Sequence, residues 1–476
     1  MTPEELDSAV MPEADDARVT PPESEVHDDE NRLKPEFCRS VIDALREEDY
    51  DRVYDLVEPL HPADIADLFE LTDQDWRTDL ARAIRDLMSV EVFAELNDWV
   101  RELLVESLPA DVVADIAEQL DTDDAVAMIE DLDSDDQQAI LAELDPEDRA
   151  AIEAALSFPE ESAGRLMSRE FVAVPEHMTV GDLIDFLREH RELPTEFWEV
   201  FVVDPRHRPI GTCALSWILR APRSIALTDV MQRDQTLLPV GMDQEEVALR
   251  FQKYALISAA VVDDAGRLVG QITVDDVVHI IQEEAAEDAL LMSGAGEGDI
   301  YEPIRDAYSS RVRWLIANLG TALIASFIIA FFDGAIEKLV ALAVLMPIVA
   351  SIGGNAGTQT MAVSVRAIAM NQLTRANTGR MLWREVRVAL LNGSTVAVLI
   401  GIGTALLFSP MLGLVIGTAV MINIMTASMA GVMVPVLFDR MGQDPAVASS
   451  VFVTMITDSM GFFVFLGLAV LSGLTG

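Results

Sequence analysis

The sequence predicts a multi-domain chain: an all-α superhelical N-terminal domain, an α+β domain built from a tandem repeat, and an all-α transmembrane domain of five helices. Three observations carry this. Residues 121–156 repeat with a period of 12. Two later stretches share one strand–helix–strand–turn–strand pattern. From Arg311 onward the chain holds five apolar runs, and about 20 apolar residues suffice for a membrane-spanning helix. The expected units are an acidic disordered tail (1–35), the helical domain (36–160), the α+β pair (164–284), a connecting helix (285–310) and the transmembrane domain (311–476).

Charge follows the same division. Arg311 to the end carries 9 Lys and Arg against 6 Asp and Glu, which leaves 24 basic and 75 acidic residues in 1–310. So acidic a region excludes nucleic acid as a partner, because binding the phosphate backbone needs a basic face. It suits cations, and it also suits a salt-adapted solvent, as does the presence of only three lysines, Lys34, Lys253 and Lys338. Two cysteines, Cys38 and Cys213, give neither a metal spacing nor a disulfide framework.

In the helical domain the repeats read DTDDAVAMIEDL from Asp121, DSDDQQAILAEL from Asp133 and DPEDRAAIEAAL from Asp145. Each opens on an Asp suited to a helix N-cap, with an acid three positions on as in a capping box. Longer echoes, LHPADIADLFEL from Leu60 and LPADVVADIAEQL from Leu108, extend the pattern. Short stacked helices of this kind build a small solenoid.

In the α+β region, FVAV (171–174), EVFVVD (199–204), LLPV (237–240) and AAVVDD (259–264) read as strands between amphipathic helices. Matching turns start at Asp204-Pro205 and Asp263-Asp264 and end at Gly211 and Gly270. The pair resembles tandem CBS domains, most closely in VVDDAGRLVGQITVDDVV. That resemblance implies an adenine-nucleotide site. Gly270 to Asp276 loosely fits the family's ribose pattern, with Thr273 and Asp276 as the contacts. The corresponding stretch from Gly211 lacks the Asp, so one site per chain, for ATP, is expected.

The expected spans are Trp314–Phe332, Leu339–Ser364, Val388–Phe408, Leu412–Phe438 and Ala446–Leu471. Arg366, Arg375, Arg380, Arg384 and Arg387, against the single acid Glu385, lie between the second and third; Arg440 lies between the fourth and fifth, and Arg311 and Arg313 precede the first. All three segments fall on one side. The positive-inside rule makes that side cytoplasmic, so the N-terminal domains are cytoplasmic and the C-terminus is external, in a multi-pass protein of the cell membrane.

From Pro445 to Gly473 there is one charged residue, Asp458. An intramembrane acid packs as a protonated helix contact, relays protons or binds a cation, and a functional role is the default. Pro347 and Gly353, Gly354 and Gly357 are expected to loosen the second span and free backbone carbonyls, with Asn355, Gln359 and Asn423 adding amide oxygens; a close helix-packing surface is the alternative. Oxygen ligands suit hard cations. One carboxylate is a poor divalent site, and a symmetric dimer supplies two.

Together these features resemble the MgtE family of magnesium channels, over about 36–476. The carrying motifs are Pro347 with Gly353-Gly354-Asn355-Ala356-Gly357-Thr358-Gln359, and Thr457-Asp458-Ser459-Met460-Gly461 in the fifth span. The resemblance implies a Mg2+-selective channel or transporter for Mg2+ influx. Asp458 of two protomers holds the ion on a homodimer axis, and Asn355 lies toward the cytoplasmic mouth. It also implies closure by cytoplasmic Mg2+ at Glu245, Asp276, Glu284, Glu287 and Asp288, with Asp123 or Asp124. On a helix, Glu283/Glu287 and Glu284/Asp288 are like-charged i,i+4 pairs that a divalent cation would relieve. His279 and Ala255 stand where further acids are expected. Transport of another divalent ion such as Co2+, or a membrane-anchored sensor that transports nothing, are the alternatives. An enzyme is not expected: the chain has neither a phosphate-binding G-x-x-x-x-G-K-[ST] loop nor H-E-x-x-H, and only one acid well inside a span.

Overall fold

The computed structural model describes residues 26–30, 32–130, 132–190, 193–194, 197–294 and 304–475. They fall into two compact units that divide between Val278 and His279.

The first unit opens with short helices from Pro35–Arg46 to Pro146–Leu156. Their apolar positions recur at helical spacing and are buried, as with Val41, Ala44 and Leu45 in the first and Ala125, Val126 and Ile129 in Thr122–Ile129. The three 12-residue repeats become the helices Thr122–Ile129, Ser134–Glu143 and Pro146–Leu156. Asp121, Asp133 and Asp145 stand at their N-caps, but none of the three side chains closes the expected cap hydrogen bond. Most of the expected tail lies outside the described residues. Its last part is packed: Val26 and Leu33 are buried, and His27 Nε2 lies 3.0 Å from Asp64 Oδ1.

The α+β pair holds β1 (Ala173–Pro175), β2 (Glu199–Val203), β3 (Pro209–Ala214), β4 (Leu237–Pro239), β5 (Ser258–Val262) and β6 (Leu268–Thr273). They form two sheets of one topology, in which β1 pairs parallel and β3 antiparallel with β2, and β4 and β6 do the same with β5. The turns match too. Asp204 Oδ1 accepts from the backbone N–H of Arg206 and Arg208, and Asp263 Oδ1 from those of Ala265 and Arg267, so each Asp holds its hairpin closed. Phe201, Val203, Ala260 and Leu268 share one buried cluster that joins the halves. Glu170 ties the helical domain to this pair: its carboxylate accepts from Thr122 N and Oγ1 (3.2 and 2.9 Å) and from Ser168 Oγ (2.8 Å).

The helix Val274–Ser293 follows β6 directly. The expected connecting helix, 285–310, takes in its last turns, residues 295–303 that lie outside the described ones, and the start of the next helix. Five long helices then run Ile304–Phe331, Ala341–Ala369, Thr378–Leu407, Pro410–Arg440 and Pro445–Leu471, and each contains a stretch long and apolar enough to cross a membrane. Each overlaps an expected span. The fourth is the most enclosed, with Ile416, Ala419, Val420, Asn423 and Ala427 all buried. In the first, Leu315, Leu319, Leu323, Phe327 and Phe331 are exposed. In a bilayer such a face meets lipid tails or another chain.

The second long helix corrects one expectation. Pro347 and the glycines after it do not break it; the helix is continuous from Ala341 to Ala369. Proline removes one N–H donor, which a helix packed among neighbours tolerates. The glycines serve close approach instead, as described next.

Candidate permeation and cation-sensing sites

The second, fourth and fifth long helices meet along a seam of small residues. A Cβ on Gly357 would stand 2.7 Å from Val453 Cγ1 and 3.3 Å from Thr457 Cγ2. One on Gly431 would stand 2.8 Å from the Gly357 carbonyl oxygen. A Cβ on Gly353 would collide with the Asn423 amide, and one on Gly461 would come within 2.6 Å of its Nδ2. The two motifs therefore face each other through Gly353 and Gly357 on one helix and Thr457 and Gly461 on the other. Asn423, which is 1 % exposed, fills the gap between Gly353 and Gly461. Its Nδ2 donates to the Val349 carbonyl at 3.0 Å, while Oδ1 is buried with no partner among the described residues.

Around this seam the polar groups divide. Thr457 is buried and bonds the Thr454 carbonyl; Thr360 and Ser364 are buried as well. Asn355, Thr358 and Gln359 are exposed, and Asp458 is half-buried beside Thr457. A Cβ on Gly354 would meet nothing. The helix that carries GGN thus buries Gly353 and Gly357 and presents Asn355 and Gln359 outward. Carboxamides and a carboxylate at membrane depth are stable facing water or protein, not lipid.

Among the expected sensor acids, Asp123, Asp124, Asp276 and Glu245 belong to the first unit. Asp123 and Asp124 lie in the first turn of Thr122–Ile129, and Asp276 in the first turn of Val274–Ser293. All three are half-buried, and the Oδ1 of Asp123 is buried with no partner among the described residues. Burial, reinforced by Asp276, holds the carboxyls of both Asp123 and Asp124 above the usual carboxylate range, and that of Asp124 is pushed up to about 6. Glu245 is half-buried in the first turn of Gln244–Tyr254. Asp276 Oδ2 also accepts from Thr273 Oγ1 at 2.6 Å and Thr273 N at 3.2 Å, so the two residues of the expected ribose pair hold each other.

In the second unit, Glu287 is exposed and Glu284 and Asp288 half-buried on Val274–Ser293. Near its end Leu291 and Met292 pack against Met361, Val365, Ala430, Val434 and Ala446, so this end of the helix rests on the second, fourth and fifth long helices. Burial, and then Asp444, raise the Asp288 carboxyl above its ordinary range. Asp444 is the N-cap of the fifth long helix, its Oδ1 accepting from Ala446 N at 2.7 Å. Sequence reasoning missed Asp444 and Glu170, and gave Asn423 only as an added amide oxygen, not as the residue between the two motifs. Each matters through residues distant in the chain, and only Asp444, directly before Pro445, carried a local helix-start signal. Among the described residues no three His, Cys, Asp or Glu side chains gather so as to hold a metal ion within one chain.

Comparison with known proteins matches three families in the order of the fold. The helical domain matches the MgtE intracellular N domain over 60–161, and the repeated modules match CBS domains over 163–216 and 227–283. The membrane region matches the MgtE divalent cation transporter family over 346–468. The magnesium transporter MgtE of Enterococcus faecalis is 31 % identical over 318 residues, covering 66 % of this chain and 70 % of that protein. The magnesium transporter MgtE of Thermus thermophilus is 32 % identical over 315 residues, with coverage of 66 % and 70 %. A crystal structure of the cytosolic domain of the Mg2+ channel MgtE in complex with ATP is 30 % identical, covers 51 % of this chain and 99 % of that one, and superposes with a TM-score of 0.47. With five apolar helices of spanning length and this succession of matched regions, the chain is a multi-pass membrane protein and belongs to the MgtE family of divalent cation transporters.

Proposed function

We propose that this chain conducts Mg2+ into the cell as a homodimer, through a pore in which Asp458 of each protomer holds the ion and Asn355 lines the cytoplasmic approach. The observation that carries this is the division of the two motifs: their small residues are buried in the seam, while Asn355 and Gln359 stay exposed and Asp458 half-buried in a single chain. A second copy would cover that polar face and supply the second carboxylate. Mg2+ sheds water reluctantly and is commonly held by one or two carboxylates with waters retained. Sparse charge with amide oxygens nearby suits that ion. The curated relatives are named magnesium transporters, which favours Mg2+ over Co2+. The arginines between the second and third spans support an orientation with the N-terminal domains in the cytoplasm and the C-terminus outside.

Cytoplasmic Mg2+ closes this pore. In the first unit, Asp123, Asp124 and Asp276 crowd negative charge that a divalent cation neutralises, with Glu245 on the same module. In the second, Glu284, Glu287 and Asp288 ride the helix whose end rests on the spans. ATP binds at the CBS pair through Thr273 and Asp276. Since Asp276 belongs to both sets, nucleotide and cation act on one carboxylate.

The test is uptake by the purified full chain in vesicles, with Mg2+, Co2+ and Ca2+ in turn and with and without a pH gradient. Saturable Mg2+ uptake that needs no gradient supports a Mg2+ channel. Uptake of Co2+ in preference to Mg2+, or none of any ion, rejects it.

A further inference from the structure

Asn423 lies in the fourth long helix, outside both motifs. Gly353 is two residues from Asn355 and Gly461 three from Asp458, so the amide meets each motif helix within about one turn of its polar group. Around Gly357 the seam is lined by Ala427, Val453 and the methyl of Thr457, which pack closely but place no hydrogen bond between the helices there. Asn423 does: its side chain occupies the notch that both glycines leave, and Nδ2 anchors it to Val349 on the second helix. Packing strength does not explain an amide here. Its Oδ1 is buried without a partner among the described residues, and an unmet buried acceptor destabilises a fold.

We propose that Asn423 is a positioning residue for permeation: it fixes the separation of the second and fifth long helices, and thereby sets how Asn355 and Asp458 discriminate Mg2+ from the larger Ca2+. The inference rests on the Mg2+ channel reading above. Ca2+ accepts more ligands at longer distances than Mg2+, so a shift of the helices that carry the ligands changes the preference.

The experiment compares the full chain with Asn423→Ala, Gly461→Ala and the double variant, reading Mg2+ and Ca2+ uptake in vesicles and thermal unfolding in detergent. Asn423→Ala is expected to melt no lower than wild type, yet to lose about fivefold in Mg2+-over-Ca2+ preference, the order that one hydrogen bond commands. Gly461→Ala is expected to melt lower, because its new Cβ strikes the amide. Adding Asn423→Ala should restore the melt but not the ion preference. Should Asn423→Ala fail to fold, Asn423→Ser, which keeps a donor but cannot reach Val349, takes its place with the same expected loss. An unchanged ion preference in a folded variant overturns the proposal, as does a double variant that melts no higher than Gly461→Ala. Absence of Mg2+ uptake by wild type overturns the channel reading itself, and this inference with it; failure of the variants alone leaves that reading standing.

Discussion

Asp288, near the end of the helix that leaves the CBS pair, lies close enough to Asp444, the N-cap of the fifth long helix, for their carboxylates to repel. A bridging divalent cation reverses that relation, since each carboxylate is drawn to the double charge between them more strongly than it is repelled by the other carboxylate. Asn caps a helix as well as Asp does. Asp444→Asn should therefore leave thermal stability within about 0.5 kcal/mol of wild type and shift closure to higher cytoplasmic Mg2+ by about fivefold or more. Asp288→Asn should do the same, and the double variant should add little, because both act on one bridge. Patch recording with Mg2+ stepped on the cytoplasmic face reads this. Unshifted closure in both single variants would remove the bridge.

The Asp123, Asp124 and Asp276 cluster predicts an inverted pH dependence. The Asp124 carboxyl is raised from 3.8 to about 6, chiefly by burial and then by Asp276. A raised carboxylate means that the folded state holds its proton more tightly than the unfolded one. Its stabilising contribution is full below the ordinary range and is lost as pH rises through about 6. Without Mg2+, the N-terminal helical and CBS domains should melt at higher temperature at pH 5 than at pH 7; with Mg2+ present, the difference should shrink. Asp124→Asn should flatten the dependence. A melt that rises steadily from pH 5 to 7 without Mg2+ would contradict the placement of these acids.

Asp276→Ala should lower ATP affinity, because Thr273 Oγ1 and N both lose their acceptor and the β6 edge loses its fixed carboxylate. The same variant should also weaken the response to cytoplasmic Mg2+. Titration calorimetry on the full chain in detergent separates the two ligands. Equal ATP affinity in wild type and variant would withdraw the ribose contact.

Neighbouring glycines should differ sharply. Gly357→Ala forces a Cβ against Val453 and Thr457, and overpacking of this sort costs about 1–3 kcal/mol. Gly354→Ala meets open space within the chain and should melt as wild type does. Similar melts for both would mean that the seam relaxes at no cost.

Much of this was legible beforehand because it is periodic. The 12-residue repeats, the doubled strand pattern and the five apolar runs each repeat a local signal, and local signals survive reading one chain. What escaped depends on contacts between distant segments. Pro347 and three glycines read locally as a loosened helix, yet the helix runs on from Ala341 to Ala369 and the neighbouring helices use Gly353 and Gly357 for contact. Asn423 is one polar letter in an apolar run until Gly353 and Gly461 are seen on either side of it. Asp121, Asp133 and Asp145 stand where caps stand, but their side chains close no cap bond, and composition alone cannot tell position from contact.

The ion-binding role proposed for Asp458 stands or falls with Mg2+ uptake into vesicles that hold equal amounts of folded wild-type or Asp458→Asn protein. Asn keeps the size and shape of the side chain, removes the charge and replaces one acceptor oxygen with a donor NH2. With Asp458 as the ion's ligand, uptake should fall at least about tenfold, a difference of about 1.4 kcal/mol in ion binding, while the melt and the oligomeric state stay as in wild type. Wild-type uptake by Asp458→Asn would contradict that role and leave Asp458 as a packing residue of the fifth helix.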